Sequence, residues 1–289
     1  MNSTFSVHEF LDDDSETFTY VVTDNATSYA VIIDPVLDFD YKSGRTDTRS
    51  AKRVLHWIER QNLTVKWILE THAHADHLSA ASFICDKVGG KIGIGEHITE
   101  VQDTFKSIFN LEASFLPNGS QFDRLFKHGD RLQVGDMTIR IMHTPGHTPA
   151  DLAYIINEQA AFVGDTIFLP DVGTARCDFP GGDANTLYDS IQTLFSLPDS
   201  TDIYVCHDYP TEGRDHQFKT QISQQKQHNI HVNDTMSKAD FVALRQKRDA
   251  TLAMPRLILP SIQVNIRAGK MPDAEDNGKV YLKIPINLL

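Results

Sequence analysis

The sequence is poor in cysteine and in positive charge. Its 289 residues include three cysteines, Cys85, Cys177 and Cys206, without paired spacing, so we expect no disulfide framework and a reducing compartment. Lysine and arginine number 27 against 39 aspartate and glutamate residues, a formal net charge of -12. This balance argues against duplex nucleic acid or an anionic membrane surface as a partner. An anionic small substrate would need local cations.

Signals for export and for membrane insertion are also lacking. The N-terminal residues lead into the acidic stretch 12–14 with neither an apolar signal core nor an arginine-rich transit pattern. No window of the sequence approaches the apolar length that a membrane span needs. We therefore expect a soluble, cytoplasmic protein. The sequence leaves its oligomeric state open, with a homodimer as one expectation.

The apolar pattern predicts strands and helices in one sandwich. Strands are expected over 18–22, 30–34, 65–69, 91–94 and 202–206, and a four-stranded antiparallel meander over 132–163. Helices are expected over 50–61, 78–88, 97–109, 183–197 and 237–254, the last with a Ser237–Asp240 capping signature. Residues 112–130 are assigned to loop with short strands. We predict a catalytic domain over 1–235, with a C-terminal helix and an extended arm over 236–289 packed on it.

A dense group of metal-ligand side chains follows the predicted strand 65–69. Within seven residues the sequence places three histidines and an aspartate, namely His72, His74, Asp76 and His77. Such a run can arise by chance or bind metal adventitiously. Its position at the carboxyl end of a buried strand, where α/β folds place their sites, favours a functional metal site.

Three further strand ends offer matching ligands: His147, Asp165 and His207. Imidazole and carboxylate groups suit zinc, iron or manganese rather than copper(I) or an iron–sulfur cluster. The sequence therefore predicts one metal centre assembled from four loops.

This ordered set of motifs resembles the metallo-β-lactamase superfamily over residues 18 to 207. The resemblance implies an α+β fold, an αββα sandwich with the metal site at the edge between its two sheets. It also implies a two-metal arrangement like that of glyoxalase II, a zinc hydrolase of glutathione thioesters. There, one metal is held by His72, His74 and His147, a second by Asp76, His77 and His207, and Asp165 bridges the two.

A second group of motifs resembles the persulfide dioxygenase branch of that superfamily. These motifs are Gly164-Asp165-Thr166, residues 173–179, Gly181-Gly182 and His207-Asp208-Tyr209. The resemblance implies a single iron(II) held by His72, His147 and Asp165. Two histidines and one carboxylate on one face leave positions open for a sulfur ligand and O2, as in non-haem iron oxygenases. The remaining residues of the set would then orient the ligands and the bound sulfur species: His74, Asp76, His77 and His207.

We therefore predict an iron(II) persulfide dioxygenase that oxidises glutathione persulfide with O2 to sulfite and glutathione. Catalytic roles are assigned to Asp76, His77 and Asp208. The final segment, residues 260–285, resembles the extension of a bacterial group within the branch. The alternatives are a dinuclear zinc hydrolase of the glyoxalase II type and a binding or sensor protein without turnover.

Two residues are expected to bind the glutathione part of the substrate, Arg176 and Tyr209. A guanidinium binds a carboxylate through two parallel hydrogen bonds, and the branch carries an arginine at the position of Arg176. An ion pair between Arg176 and Asp178 or Asp171, fixing the loop, is the competing interpretation. Cys177 and Cys206 are interpreted as packing residues rather than redox groups.

Overall fold

A computed structural model describes residues 4–210 and 213–288 of the chain. Its strands in chain order are β1 Phe5–Asp12, β2 Thr17–Asp24, β3 Tyr29–Ile33, β4 Val36–Asp40, β5 Arg45–Asp47, β6 Thr64–Leu69, β7 Leu78–Ser79, β8 Lys91–Gly95, β9 Arg124–Phe126, β10 Arg131–Val134, β11 Met137–His143, β12 Leu152–Ile156, β13 Ala160–Phe162, β14 Asp202–Tyr204 and β15 Lys219–Gln221. Its helices are α1 Arg49–Arg60, α2 Ala81–Val88, α3 Ile98–Ile108, α4 Ala184–Phe195, α5 Ile222–His228, α6 Lys238–Asp249 and α7 Ile258–Asn265. None of these helices is long and apolar enough to cross a membrane.

Two six-stranded sheets form the centre of the molecule. The first has the order β1-β2-β3-β6-β8-β9, and the second has the order β10-β11-β12-β13-β14-β15. Strands β3, β6, β8 and β9 run parallel to one another, whereas β10 to β13 form the antiparallel meander that the sequence predicts. Strand β14 then joins β13 in parallel. A third, small sheet pairs β4 with β5 and β7.

Alternating side chains on the strands build the layers. On β2, Tyr20 and Val22 face the second sheet, while Val21 faces the helices, as the two-residue period of a strand requires. Helices α1, α2, α3 and α7 cover the first sheet, and α4 and α6 cover the second. The result is the αββα sandwich that the sequence predicts.

Two predicted helices differ from the structure by more than two residues at one end. The helix expected from residue 78 begins at Ala81, because Leu78 and Ser79 pair with Leu37 and Val36 as strand β7. The helix expected over 237–254 ends at Asp249, and its N-cap is Ser237, whose hydroxyl accepts a hydrogen bond from the Asp240 amide as predicted.

The tail beyond Pro255 is not only an extended arm, because it contains helix α7. This helix buries Ile258 and Ile262 in the core beneath the first sheet. Pro260 lies in its first turn, where backbone N–H groups have no partner within the helix and proline is tolerated. The prediction of an arm without a helix was therefore wrong for residues 258–265. The division of the chain at residue 235 stays a prediction.

Candidate metal centre

The predicted ligands meet at one edge of the sandwich. Strand β6 leads into the loop of His72, and β11 leads into the loop of His147. Asp165 follows β13, and His207 follows β14, the parallel neighbour of β13. Because these strands end at the same edge, side chains that are up to 135 residues apart in the sequence become neighbours.

One group of donor atoms comes from two histidines and one aspartate. Nε2 of His147 lies 3.5 Å and Nε2 of His72 lies 3.9 Å from Oδ2 of Asp165. Ligands about 2.1 Å from a common ion are roughly 3.0–3.5 Å apart for right-angled to tetrahedral bond angles. The three side chains are buried, and Nε2 of His72 and Oδ1 of Asp165 have no hydrogen-bond partner among the residues that the structure describes. This group therefore fits a metal ion.

The outer nitrogens of both histidines are already occupied. Nδ1 of His147 lies 2.7 Å from the carbonyl oxygen of Arg176, so it must carry the proton and donate it. Nδ1 of His72 lies 3.1 Å from the hydroxyl of Thr71 and 3.7 Å from Oδ1 of Asp151. Such partners fix the ring orientation of metal-binding histidines. Burial holds the pKa of His72 well below its usual range, which keeps the ring neutral as a ligand must be.

A second group consists of His74, Asp76, His77 and His207, whose donor atoms lie within 4.8 Å of one another. Oδ2 of Asp76 lies 3.2 Å from Nδ1 of His77 and 3.3 Å from Nε2 of His207. It also accepts a hydrogen bond from the hydroxyl of Thr17. Burial opposes the charge on Asp76, but the two histidines outweigh burial and hold its pKa well below the usual range.

Asp165 lies between the two groups. Its Oδ2 faces His147, while its Oδ1 lies 3.3 Å from Nε2 of His207. Burial lowers the pKa of His207, but Asp76 and its other anionic neighbours together outweigh burial, and the net pKa lies well above the usual range. The carboxylate could therefore bridge two ions or bind one ion and accept a hydrogen bond from His207.

His74 is held at the back of the site. Its Nε2 lies 3.0 Å from Oδ1 of Asp34 and 3.5 Å from Oε2 of Glu70. Burial opposes protonation of His74, yet Asp34 raises its pKa well above the usual range. Asp34 also accepts hydrogen bonds from the amide and hydroxyl of Thr71, so it fixes the start of the metal loop. The other ring nitrogen of His74, Nδ1, has no hydrogen-bond partner within the described part of the chain.

A cavity of about 620 Å³ opens onto the donor groups. Asp76, His147 and Asp165 line its inner end, and Phe168, Phe179 and Tyr209 contribute aromatic surface. Four arginines line its wall: Arg176, Arg245, Arg248 and Arg256.

Arg176 is bound to protein groups on all sides. Its Nε and Nη2 donate to the two carboxylate oxygens of Asp178 at 2.6 and 2.7 Å, and its Nη1 donates to the carbonyl of Ala253 at 2.6 Å. The pairing with Asp178 is the competing interpretation given above. By contrast, the guanidinium of Arg248 makes no hydrogen bond or ion pair with any residue of the described ranges, and the residue is exposed.

Asp208 and Tyr209 differ in their access to the cavity. Asp208 is fully buried and accepts hydrogen bonds from Nη1 and Nη2 of Arg214 and from the amide of Gln217. Its catalytic role stays a prediction without geometric support, because both oxygens serve to anchor the loop. Tyr209 lines the cavity, with its ring 5.8 Å from that of His207.

Three residues that support the ligands are not among those predicted from the sequence: Thr17, Asp34 and Asp151. Asp34 could have been suspected, because it ends a buried strand just as the ligand loops do. Burial raises the pKa of Asp151 to about 7, and this carboxyl lies behind His72. No pattern in the sequence distinguishes Thr17 from other strand threonines.

Comparison with known proteins agrees with this geometry. The sequence pattern of the metallo-beta-lactamase superfamily matches residues 12–207. The chain belongs to this superfamily. The fold, the resemblance and the presence of a metal-binding site that the sequence predicts are thereby confirmed.

Relatives within the superfamily carry different names. The chain is 50% identical to a probable metallo-hydrolase of Burkholderia pseudomallei, over 98% of this chain and 100% of the relative. It is 46% identical to glyoxylase B2 of Dictyostelium discoideum, over 100% of this chain and 99% of that relative. It is also 28% identical to the mitochondrial persulfide dioxygenase ETHE1 of Homo sapiens, over 88% of this chain and 84% of that relative.

A solved structure supports the last similarity. The crystal structure of ETHE1 from Myxococcus xanthus matches with a TM-score of 0.73 and 29% identity, covering 92% of this chain and all of that one. The superfamily member described here is thus similar both to proteins named hydrolases and to persulfide dioxygenases.

His147→Ala should release the metal from this centre. The substitution removes one of the three ligand atoms. Because loss of even an outer hydrogen-bond partner of a ligand weakens metal affinity about 10- to 100-fold, we expect the metal affinity to fall by more than about 100-fold. Metal content by elemental analysis after gel filtration measures the effect. His228→Ala, at an exposed histidine of α5, is the control and should keep the wild-type metal content. Stoichiometric metal in His147→Ala would refute the ligand assignment.

Proposed function

We propose that this protein is an iron(II)-dependent persulfide dioxygenase acting on glutathione persulfide. The reaction consumes one O2 and one water, cleaves the S–S bond, oxidises the terminal sulfur to sulfite and releases glutathione and two protons. The observation that carries the proposal is the group of His72, His147 and Asp165 beside the cavity. A face of two histidines and one carboxylate is typical of non-haem iron(II) oxygenases.

In this proposal His72, His147 and Asp165 hold one iron(II) ion. Iron(II) bound there would supply the redox chemistry that links the persulfide to O2. The ring positions are set by the protein, because Thr71 and the carbonyl of Arg176 occupy the outer nitrogens. The ligand geometry therefore does not depend on the substrate.

The second donor group acts on protons rather than on a second ion. Asp76 lines the cavity, and His77 and His207 hold its carboxylate in place. Because the pKa of His207 is raised and that of Asp76 is lowered, Nε2 of His207 carries a proton that it can donate, and Oδ2 of Asp76 stays an acceptor. Asp76 and His77 keep the catalytic roles that the sequence predicts for them.

Arg248 is the cation that we assign to a carboxylate of glutathione. It lines the cavity and is free to bind, whereas Arg176 is paired with Asp178. Arg176 contributes by shaping the wall, since its guanidinium lies 4.9 Å above the ring of Phe179. Tyr209 is exposed enough to contact the substrate. A volume of about 620 Å³ is in the range that binds small-molecule ligands.

A dinuclear zinc hydrolase of glutathione thioesters is the second candidate. The observation that favours it is the second donor group, with Asp165 placed between the two groups. The names of the relatives from Burkholderia pseudomallei and Dictyostelium discoideum support it as well. Two zinc ions in this arrangement would generate hydroxide for attack on the thioester.

Oxygen uptake distinguishes the two candidates. The protein is loaded anaerobically with iron(II) and mixed with glutathione persulfide and O2 in an oxygen electrode, with sulfite measured as product. We expect one O2 consumed per sulfite formed, and no uptake by zinc-loaded protein. An iron-loaded protein that consumes no O2, together with hydrolysis of a glutathione thioester by the zinc form, would replace the proposal by the second candidate.

Arg248→Ala should weaken substrate binding without slowing the chemical step. Loss of a charge-assisted hydrogen bond at an exposed group predicts a KM increase of about 10-fold, with kcat unchanged within about twofold. Steady-state kinetics with glutathione persulfide measures both constants. The control is Lys247→Ala, which removes a neighbouring exposed cation of α6 that does not line the cavity. Equal KM values for the two variants would remove Arg248 from the substrate site.

A further inference from the structure

The C-terminal helix reaches the metal loop through one side chain, that of Asn265. This residue ends α7 and lies 188 positions after His77. Its Nδ2 donates to the carbonyl oxygens of His74 and His77, both at 2.8 Å. Its Oδ1 accepts a hydrogen bond from the amide of Ser79 at 2.7 Å. Carbonyls only accept and an amide N–H only donates, so these three partners fix the orientation of the side chain.

The two carbonyls that Asn265 binds stand on either side of Asp76. The bonds therefore close a short turn that carries Asp76 and His77 toward the donor groups. The residue is 4% exposed, so in the folded protein these three backbone groups bond to the Asn265 side chain and not to bulk water. An alanine would leave two carbonyls and one N–H of the loop without partners.

Helix α7 is itself held firmly, so it can act as a fixed support. Nε2 of Gln102, on α3, donates to the carbonyl of Ile266 at 2.8 Å. Arg267 forms an ion pair with Glu112 at 2.6 Å. Ile262 packs into the core beneath the first sheet. The position of Asn265 is thus set by contacts that do not involve the metal ligands.

We infer that Asn265 is a positioning residue of the metal centre: it holds the backbone of the metal loop and thereby sets how tightly the centre retains its ion. The inference rests on the metal centre and not on which reaction takes place there. It also assigns a role to the C-terminal segment, which would be part of the machinery of the site rather than an appendage.

Gln263 provides a matched control on the same helix. Its carboxamide is also buried and also makes three hydrogen bonds. Its Nε2 donates to the carbonyls of Leu259 and Lys283, and its Oε1 accepts from the amide of Lys283. None of them reaches the metal loop. Gln263→Ala and Asn265→Ala therefore remove similar interactions and differ in whether the loop loses its support.

The experiment measures how fast metal leaves the protein. Wild type, Asn265→Ala and Gln263→Ala are loaded with cobalt(II), mixed with excess EDTA, and followed by visible absorption. Removing an outer partner of a metal ligand changes metal affinity by about 10- to 100-fold, so we expect Asn265→Ala to release cobalt(II) at least about 10-fold faster than wild type. The release rate of Gln263→Ala should stay within about twofold of the wild-type rate. The melting temperatures of metal-free Asn265→Ala and Gln263→Ala should fall below that of the metal-free wild type by similar amounts.

A second variant keeps the test decisive if alanine unfolds the protein. Asn265→Asp has the same shape and still accepts from Ser79, but it places an oxygen against the two carbonyls, so faster release is expected here too. The inference would be overturned if Asn265→Ala and Gln263→Ala released cobalt(II) at equal rates, or if both Asn265 variants released it at the wild-type rate. So would unfolding of both Asn265 variants with Gln263→Ala folded, because Asn265 would then serve the fold. Since no turnover is measured, these results are independent of the oxygen-uptake test.

Discussion

Buried ligand atoms without hydrogen-bond partners are the constraint on which the site depends. Burying a polar atom without a partner costs free energy on the order of 1–3 kcal/mol. At this edge of the sandwich the unpaired atoms include Nε2 of His72, His77 and His207, Nδ1 of His74 and Oδ1 of Asp165. A fold that tolerates so many of them in one place gains its compensation from what binds there: a metal ion at the group of His72, and hydrogen-bonding groups at the other atoms. The arrangement around them follows from this requirement, since Thr71, Thr17 and Asp34 occupy the remaining polar atoms and leave the ligand atoms free.

The sandwich supplies the rigidity that such a site needs. Four strands of the two sheets end at the same edge, and each ligand lies three or four residues beyond the end of its strand rather than on a long loop. The core between the sheets is formed by side chains of both, including Tyr20 and Tyr154, whose hydroxyls donate to backbone carbonyls near the ligand loops. Packing and metal binding are therefore supported by the same elements.

Much of this arrangement can be predicted from the sequence, because it depends on local patterns. Alternating apolar residues predicted the meander, and ligand residues at strand ends predicted which loops meet. Strand β1 was not predicted, since His8 and Glu9 interrupt its apolar pattern. Helix α5 was missed because Ile222 is its one aliphatic residue among glutamines and other polar groups.

The parts that could not be predicted depend on contacts between distant segments. Nothing near Asn265 in the sequence indicates that it binds the loop of His74. The pairing of Arg176 with Asp178 could be named in advance only as one of two alternatives, since the sequence does not show whether a neighbouring carboxylate or a ligand occupies a guanidinium. The number of ions is open for the same reason: the same ligands in the same order serve one ion or two.

Anomalous X-ray scattering from crystals of the protein, recorded at the iron and zinc absorption edges, tests the central claim most directly. The account predicts one iron site, at ligand distance from Nε2 of His72, Nε2 of His147 and the carboxylate of Asp165. Two zinc sites, the second among Asp76, His77 and His207, would contradict it.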